Sequence, residues 1–274
     1  MSQLTDLPAW QNLADHFEKV KDLHMRDMFA QDPDRFDRFS LRLDDILFDY
    51  SKNRVTDDTM RLLLALAEAC DVEGWRDRMF AGEPVNHTEQ RAVLHTALRN
   101  QSGHPMTVDG VDVMPEVQSE LARAKDLAEA IRTRRWRGAS NQPITDVVSI
   151  GIGGSNLGPL MATEALRPYA IHDLHIHYVS NIDENHIINT LEGLNPETTL
   201  FIVASKSFTT QEAMVNAATA REWLLNKIPN ELDLRRHLVA VTANVDAAEA
   251  FGIARENVFK MWDWVGGRYS MWSA

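Results

Sequence analysis

The chain has 274 residues, of which 44% are hydrophobic and 25% are charged, so it is long enough for one large globular domain or two ordinary ones. Its formal net charge of -12 argues against a broad surface for nucleic acid or an anionic membrane, and leaves open a small anionic substrate held in a locally positive pocket. The single cysteine, Cys70, excludes an intrachain disulfide and a metal site built from several cysteines.

The first hundred residues are predicted to be mainly helical. Apolar residues recur at helical spacing from Trp10 to Phe29, and Asp32-Pro33-Asp34 ends that run. The segment from Phe36 to Tyr50 is interpreted as a short strand or an irregular stretch. Further helices are predicted over residues 60–70, 74–79 and 92–99, the first of them preceded by an N-cap signal over residues 56–59.

A polar, turn-rich stretch over residues 101–114 separates the two parts of the chain, and its Asp109-Gly110 pair is a hairpin signal. We place the domain boundary here, with a mainly helical N-terminal segment over residues 1–114 and a second domain over residues 115–274. A long helix is predicted from Pro115 to Arg135, with the proline suited to its first turn.

From Thr145 onward, apolar runs alternate with helical segments, which is typical of a parallel sheet covered by helices on both faces. Strands are predicted over residues 146–150, 174–180, 199–204, 237–242 and 258–264. Helices are predicted over residues 158–166, 184–193, 210–225 and 245–251. Ligands of such sheets bind beyond the carboxyl ends of the strands, so the loops after the strands are the candidate site.

The loop from Ala204 to Glu212, after the third of these strands, is the central candidate. It has four hydroxyls and one ammonium between Ser205 and Thr210, directly before a predicted helix. A helix start exposes unpaired backbone N–H groups and the positive end of the helix dipole, so these side chains favour an anion, most naturally a phosphate. The alternative is an N-cap made by Thr209 or Thr210 with the other hydroxyls solvated. A cap needs only one hydroxyl, so the phosphate site is the preferred interpretation.

A glycine-rich loop, Gly151 to Pro159, follows the first of these strands. Its glycines allow the backbone to approach an anion closely, and Ser155 adds a hydroxyl. The loop matches neither the P-loop nor the dinucleotide fingerprint, because Asn156 stands where each pattern needs a glycine. Asp183, after the second strand, keeps NAD binding open as a weaker alternative. A plain strand-to-helix turn is also possible, although it needs fewer glycines.

The last candidate loop, Val265 to Ser270, follows the final strand. Its two glycines free the backbone and direct Arg268 at a fixed point. Arginine suits an oxyanion or a phosphate because it is always charged and binds bidentately. Pairing with a surface acid is the common alternative, but the position of Arg268 beside the other loops favours a functional role.

The histidines and the N-terminus predict neither a metal site nor export. The ten histidines do not show HExxH spacing, and those at positions 172, 175 and 177 fall in or beside a strand-like run. The first six residues lack the basic and apolar regions of a signal peptide, and no apolar run approaches the length of a membrane span. We therefore expect a cytoplasmic protein without a bound metal.

The three loops resemble those of the glucose-6-phosphate isomerase (phosphoglucose isomerase) family. The matching stretches are Gly151-Ile-Gly-Gly-Ser-Asn-Leu-Gly-Pro, Ala204-Ser-Lys-Ser-Phe-Thr-Thr-Gln-Glu and Trp262-Asp-Trp-Val-Gly-Gly-Arg-Tyr-Ser-Met-Trp-Ser-Ala. Shorter matches are Asp49-Tyr-Ser-Lys-Asn-Arg, Thr88-Glu-Gln-Arg-Ala-Val-Leu-His and Val179-Ser-Asn-Ile-Asp. They occur in the family's order and together are highly specific, whereas a single glycine loop is not.

The resemblance implies an α/β fold over residues 115–274: a sugar-isomerase (SIS) domain with a flavodoxin-like, parallel five-stranded sheet and helices on both faces. It implies that Arg268 stabilises a negatively charged enediolate intermediate. The residues that it implies for substrate binding are Gly154, Ser155, Ser205, Lys206, Ser207, Thr210, Glu212 and Gly267. No metal or cofactor is implied.

The implied reaction is the reversible isomerisation of glucose 6-phosphate and fructose 6-phosphate, a step of glycolysis and gluconeogenesis, in a protein that is typically a homodimer. A base moves a proton between C1 and C2 of the open sugar through an enediolate. The family's base, and the histidine that opens the ring, lie in a second SIS domain beyond Ala274. We therefore expect this chain to be an N-terminal part that binds sugar phosphate weakly and does not isomerise it.

Two other classes of protein stay open from the sequence. One is a non-catalytic SIS-type module that senses a sugar phosphate, against which the helical first hundred residues argue because they resemble the isomerase and no DNA-binding head. The other is an NAD(P)-dependent oxidoreductase, which Asn156 makes the weaker of the two. No nucleic-acid or membrane partner is expected from either the charge or the apolar pattern.

Overall fold

The structure is a computed structural model that describes residues 4–228 and 230–268. Its internal contacts divide the chain into two compact units, an N-terminal unit up to Asp77 and a C-terminal unit from Arg78. The sequence-based domain division at residue 115 stays a prediction.

The N-terminal unit is mainly helical, with one small hairpin. Its elements are a 3-10 helix (Leu4–Asp6), α1 (Pro8–Val20), α2 (Met25–Gln31), α3 (Arg35–Arg38), β1 (Ser40–Leu43), β2 (Ile46–Asp49) and α4 (Asp57–Ala69), followed by α5 (Val72–Phe80), which runs across the division. The single helix predicted over residues 10–29 is therefore wrong, since two helices occupy this stretch. The break occurs because His24 has an extended backbone and its Nδ1 accepts a hydrogen bond from the Arg26 N–H at 3.2 Å, which starts a new helix.

The segment that was ambiguous in sequence, residues 36–50, contains a β-hairpin. Strands β1 and β2 pair antiparallel from Ser40 opposite Asp49 to Leu43 opposite Ile46, and Asp44 in the turn has a φ of 50°. Aspartate tolerates this left-handed conformation better than most residues. After the hairpin, Thr56 and Thr59 form a reciprocal capping box, so α4 begins at Asp57, three residues before the predicted start.

A buried arginine joins the residues after the hairpin to α3. Arg35 is 3% exposed, and its guanidinium donates to the carbonyl oxygens of Ser51 at 2.8 Å, Asn53 at 2.9 Å and Val55 at 2.9 Å. The same group lies 4.6 Å from the centroid of the Phe39 ring. Three backbone acceptors and an aromatic face thus compensate the burial of its charge.

The C-terminal unit is built around a five-stranded parallel sheet. Its first elements are a 3-10 helix (His95–Arg99), β3 (Thr107–Val108), β4 (Val111–Asp112) and α6 (Met114–Arg132). The sheet region contains β5 (Asp146–Ile150), α7 (Gly154–Ala165), a 3-10 helix (Arg167–Tyr169), β6 (His175–Val179), α8 (Glu184–Leu191), a 3-10 helix (Pro196–Thr198), β7 (Thr199–Ala204), α9 (Gln211–Leu225), α10 (Glu231–Leu234), β8 (Leu238–Thr242), α11 (Val245–Phe251), a 3-10 helix (Arg255–Asn257) and β9 (Val258–Lys260).

The strands of the sheet lie in the order β6-β5-β7-β8-β9, all parallel, which confirms the predicted flavodoxin-like α/β fold. Alternate residues of each strand face opposite sides. On one side, Val148 and Phe201 belong to a buried apolar cluster that also contains residues of α8, α9 and α11. On the other side, Val147 and Leu200 cluster with Ile131 of α6. Helices therefore cover both faces, as the apolar strand pattern predicted.

An apolar groove of about 320 Å³ lies along α6 on the second face of the sheet. Its lining includes Leu121 of α6 together with Ile202, Val241 and Phe259 of the strands. Such a surface lacks the convergent polar groups that a phosphorylated sugar requires. The polar side chains that suit an anion lie at the carboxyl ends of the strands and not in this groove.

The helix predicted before the candidate site and the last predicted strand differ from the structure. The helix predicted over residues 92–99 is wrong, because only a 3-10 helix over His95–Arg99 is present. The residues before it are not helical. Gln90 has a φ of 54°, and the Leu94 N–H donates to the Trp264 carbonyl at 3.0 Å instead of to a helical partner. The last strand ends at Lys260, earlier than predicted, and buried Trp262 and Trp264 belong to a separate apolar cluster with Leu94.

His237 is a fully buried histidine that makes two backbone hydrogen bonds. It is 0% exposed, its Nε2 accepts from the Ala139 N–H at 2.8 Å, and its Nδ1 lies 2.7 Å from the Thr199 carbonyl oxygen. Because a carbonyl can only accept, Nδ1 carries the proton and the ring is neutral. Burial lowers the pKa of His237, since it disfavours the charged form.

The C-terminal unit should lose stability as the pH falls below about 6.5, the ordinary pKa of a free histidine. Unfolding frees His237 to take up a proton that the folded state resists, so the stabilisation is fully present above that pH and declines below it. Urea unfolding between about pH 7.5 and about pH 5 should show a smaller pH effect in His237→Gln than in the unsubstituted chain. The exposed His104→Gln is the control, and an unchanged pH dependence in His237→Gln would contradict the assignment.

Candidate functional site

The loops after β5, β7 and β9 meet at one edge of the sheet. Gly154, which starts α7, lies directly against the backbone of Gly267 and Arg268, because a Cβ atom on Gly154 would be 2.6 Å from the Arg268 Cα. Gly267 in turn faces Lys206, whose Cβ would lie 3.7 Å from a Cβ on Gly267. The structure therefore brings together residues from all three loops that the sequence selected.

Ser205 and Thr210 close the loop after β7 through their hydroxyls. Ser205 is 3% exposed, and its Oγ lies 3.1 Å from the Thr210 Oγ1. The Ser205 N–H also donates to the Val241 carbonyl of β8 at 3.1 Å, which fixes the start of the loop to the sheet. The two hydroxyls thus lie side by side in front of α9.

Thr210 is the N-cap residue of α9, but its side chain makes no capping hydrogen bond. The hydroxyl of Thr209 bonds to the Ser207 Oγ at 2.7 Å, so it is directed back into the loop. The alternative in which a threonine side chain caps the helix is therefore wrong for Thr210. Backbone N–H groups of a helix start that no side chain caps suit an anion.

Lys206 is half-buried and is held by the loop that follows β9. Its ammonium donates to the Asp263 carbonyl oxygen at 2.9 Å, and its own carbonyl accepts from the Ala243 N–H at 2.9 Å. Burial lowers the pKa of Lys206, the positive charge of Arg91 lowers it further, and the negative charges of Glu89 and Asp263 act in the opposite direction. The ammonium is therefore in contact with the loop after β9 and lies within the electrostatic influence of Arg91 and Glu89.

The middle of the loop reverses direction at Phe208, whose φ of 56° is unusual for a residue with a bulky side chain. The ring is buried and packs edge-on against Phe251 of α11, with centroids 5.9 Å apart. Packing of the ring compensates the strained backbone and leaves Ser207 exposed on the outside of the loop. Sequence reasoning did not assign a role to Phe208.

The glycine-rich loop enters α7 earlier than predicted. Gly153 has a φ of 54°, and its carbonyl accepts from the Leu157 N–H at 2.9 Å, so the helix begins at Gly154 and not at residue 158. Pro159 consequently lies inside the helix. Ser155 is half-buried in the first turn, while Asn156, at the position where a dinucleotide fingerprint has glycine, is buried.

The remaining predicted residues lie at the same edge. Glu212 is half-buried in the first turn of α9, where a carboxylate interacts favourably with the helix dipole. Arg268 is exposed at the end of the loop after β9. Ser270, which the sequence included in that loop, lies outside the described residues.

Arg91 belongs to the site as well, although sequence reasoning assigned it only to the start of a helix. Its Nη1 donates to the Asp263 Oδ1 at 3.2 Å, so the carboxylate that lies five residues before Arg268 is paired with Arg91. The only sequence signal was the short match from Thr88 to His95, which gave no separate role to the arginine.

The assembled site lies at the carboxyl ends of the strands. It contains the starts of two helices, several hydroxyls and three cationic side chains. The cations are Lys206, Arg268 and Arg91. This set suits a doubly charged anion attached to a polar body. Among residues 4–228 and 230–268, no group of three or more His, Cys, Asp or Glu side chains is arranged to hold a metal ion. In the same residues, no helix combines the length and apolar character needed to cross a membrane.

A family model described as phosphoglucose isomerase matches residues 49–274. The glucose-6-phosphate isomerase of Methylococcus capsulatus is 56% identical over 274 residues, covering 100% of this chain and 50% of that protein. Glucose-6-phosphate isomerase 1 of Chromobacterium violaceum is 53% identical with the same coverage of 100% and 50%. The chain thus spans about half the length of the curated relatives it matches.

Solved structures support the same relationship. The crystal structure of a glucose-6-phosphate isomerase from Chlamydia trachomatis aligns with a TM-score of 0.81 and 26% identity, covering 98% of this chain and 51% of that one. A hypothetical protein, TT0462 from Thermus thermophilus, aligns with a TM-score of 0.54 and 26% identity over 79% of this chain and 44% of its own.

Proposed function

Because the chain belongs to the phosphoglucose isomerase family, we propose that it forms the sugar-phosphate-binding part of a glucose-6-phosphate isomerase. That enzyme would interconvert glucose 6-phosphate and fructose 6-phosphate in glycolysis and gluconeogenesis. The observation that carries the proposal is the pair of hydroxyls of Ser205 and Thr210, 3.1 Å apart in front of α9. In this proposal, Lys206 and the start of α7 would complete the surroundings of that pair.

The phosphate of the sugar would lie at the start of α9. There it would receive hydroxyl bonds from Ser205, Ser207 and Thr210 and backbone N–H groups from the first turn of the helix. Lys206 would contribute positive charge, and Gly154 with Ser155 would close the pocket from the side of α7. A phosphate anchored in this way fixes one end of the substrate, which is the main contribution of binding residues to catalysis.

The sugar carbons would extend from this anchor toward Gly267 and Arg268. Isomerisation moves a proton between C1 and C2, and negative charge develops on the oxygens of the enediolate. A guanidinium near those oxygens stabilises the charge as it forms, so Arg268 is the proposed catalytic cation. Glu212 lies on the phosphate side and would shape the pocket. We propose that the base and the ring-opening group lie in the half of the relatives that this chain does not span.

We further propose that the full-length protein is a cytoplasmic homodimer that needs no metal or cofactor. The chain described here would bind neither nucleic acid nor membrane, since its net charge of -12 repels both polyanions. This chain alone would bind a hexose phosphate and leave it unchanged.

Calorimetric titration of the chain with fructose 6-phosphate tests the phosphate assignment. Ser205→Ala and Thr210→Ala should each weaken binding about tenfold, the effect of losing one hydrogen bond to a charged group (~1.5 kcal/mol). Thr219→Ala, on the same helix and outside the loop, is the matched control and should leave the affinity unchanged. Fructose without the phosphate should not bind measurably.

Two results would refute this assignment. One is an affinity for fructose equal to that for fructose 6-phosphate. The other is an unchanged affinity in both hydroxyl variants.

A further inference from the structure

We propose that Arg91 is a positioning residue of this site, which acts through Asp263 on the loop that carries Gly267 and Arg268. The inference rests on the proposed function for the identity of its ligand. It concerns a segment, Asn86 to Leu94, that lies far from the three loops in sequence. We call this stretch the backing segment.

The backing segment touches the loop after β9 at two successive residues. The Arg91 Nη1 donates to the Asp263 Oδ1 at 3.2 Å, and the Leu94 N–H donates to the Trp264 carbonyl at 3.0 Å. An antiparallel bridge between Asn86 and Arg91 closes the backing segment on itself. Arg91 therefore reaches Asp263 from a constrained turn and not from a free chain end.

Asp263 links Arg91 to Lys206. Its carboxylate accepts from Arg91, while its carbonyl oxygen accepts from the Lys206 ammonium at 2.9 Å. A shift of Asp263 would therefore move the contact of Lys206 and displace Gly267 and Arg268, four and five residues further on. The position of this single residue couples the phosphate loop to the catalytic cation.

The apolar side of the loop is already fixed without Arg91. Trp262 and Trp264 are stacked with ring centroids 5.0 Å apart, and both are buried beside Leu94. The Trp262 Nε1–H also donates to Glu116 at 2.6 Å. Asp263 lies between the two tryptophans in sequence. Its side chain is 74% exposed, whereas the two rings are buried. Arg91 thus holds the side chain of Asp263 on the polar side of the loop, where Lys206 bonds to the Asp263 carbonyl oxygen.

Because this ion pair is exposed, a role in positioning the loop can be tested separately from a role in folding stability. The side chains of Arg91 and Asp263 are 39% and 74% exposed, and exposed ion pairs contribute little to folding stability. Loss of the pair should therefore leave the fold intact. The same loss should weaken ligand binding, because small displacements of binding groups have large effects.

Arg91 also affects the charge state of Lys206. Its positive charge lowers the pKa of the Lys206 ammonium, next to the larger effect of burial, while Glu89 and Asp263 raise it. Replacement of Arg91 by a neutral residue should therefore raise the pKa of Lys206. This readout reports the charge of Arg91, while the affinity of Asp263→Asn reports its positioning role.

Two modes of action of Arg91 predict opposite changes in the ligand affinity of the Asp263→Asn variant. If Arg91 positions the loop through Asp263, then Asp263→Asn should weaken ligand binding as Arg91→Ala does. If Arg91 instead contacts the ligand directly, Asp263→Asn should tighten binding, because it removes a competing anion. The variants thus distinguish positioning from direct contact.

The experiment is calorimetric titration of glucose 6-phosphate into the unsubstituted chain, Arg91→Ala, Arg91→Lys, Asp263→Asn and the double variant. We expect Arg91→Ala and Asp263→Asn each to weaken binding about fivefold, the double variant to be no weaker than either, and Arg91→Lys to recover part of the affinity. The Lys206 pKa, measured by NMR, should rise in Arg91→Ala, and amide exchange of Leu94 and Val265 should accelerate in both single variants.

Several outcomes overturn the inference. Unchanged affinity in Arg91→Ala, tighter binding by Asp263→Asn, or additive losses in the double variant would each do so while leaving the phosphate site in place. Failure of the unsubstituted chain to bind glucose 6-phosphate would remove the proposed function and this inference together. If Arg91→Ala does not fold, Asp263→Asn alone decides, because weaker binding supports positioning and any other result refutes it.

Discussion

Replacement of Gly154 by alanine should reduce the affinity for glucose 6-phosphate at least about 100-fold, which is the scale of loss that accompanies a 1 Å displacement of binding groups. The added Cβ would lie 2.6 Å from the Arg268 Cα and closer still to the Gly267 carbonyl oxygen. Both of these atoms belong to the backbone, so neither can rotate away. The loops after β5 and β9 would have to separate, and the proposed phosphate and enediolate sites would separate with them.

Gly267→Ala provides a matched comparison for this prediction. A Cβ on Gly267 would meet the Lys206 Cβ at 3.7 Å, which is an ordinary van der Waals contact, so the loops can stay together. Gly267 belongs to the proposed substrate pocket, so some affinity should be lost, but less than in Gly154→Ala. Calorimetric titration measures both variants, and thermal unfolding shows whether each one folds. Equal affinities of the two variants, or a larger loss in Gly267→Ala, would contradict the contact between the loops.

Arg35→Ala should destabilise the N-terminal unit by roughly 1–3 kcal/mol, as expected when buried backbone acceptors lose their donor. The change would leave the carbonyls of Ser51, Asn53 and Val55 without their donor. Arg35→Lys should lose most of the same stability, because an ammonium cannot reproduce the planar fork of the guanidinium.

Hydrogen exchange of the α4 amides in native conditions measures this effect within the N-terminal unit. Arg42→Ala, on the exposed face of β1, is the matched control and should change the free energy of unfolding by less than about 0.5 kcal/mol. If the two arginine-to-alanine variants exchanged at equal rates, the carbonyl contacts of Arg35 would not contribute to stability as described.

The sheet was the most predictable part of the fold. The bounds of β5 and β7 agree with the sequence prediction, because buried parallel strands are continuous apolar runs that end at turn residues. The final strand was predicted too long, since Trp262 and Trp264 continue the apolar run but pack into a different cluster. An apolar pattern shows that residues are buried and does not show which core receives them.

The candidate site was predictable only where a general rule applied. The rule that ligands bind at the carboxyl ends of parallel strands selected the loops of Gly154, Ser205 and Arg268, which the structure brings together. The strained backbone of Phe208 depends on its packing against Phe251, and no local pattern reports such a contact. The pairing of Arg91 with Asp263 also has no local signal, because their side chains meet only after the sheet has formed.

The distance in sequence between Arg91 and Asp263, 172 positions, has a consequence for synthesis of the protein. At ~5–20 residues per second, translation takes roughly 10 to 35 s to pass from the first residue to the second. A nascent chain therefore displays Arg91 long before its partner Asp263 exists. The contact between them cannot assist the early steps of folding on the ribosome, and the apolar sheet must assemble without it.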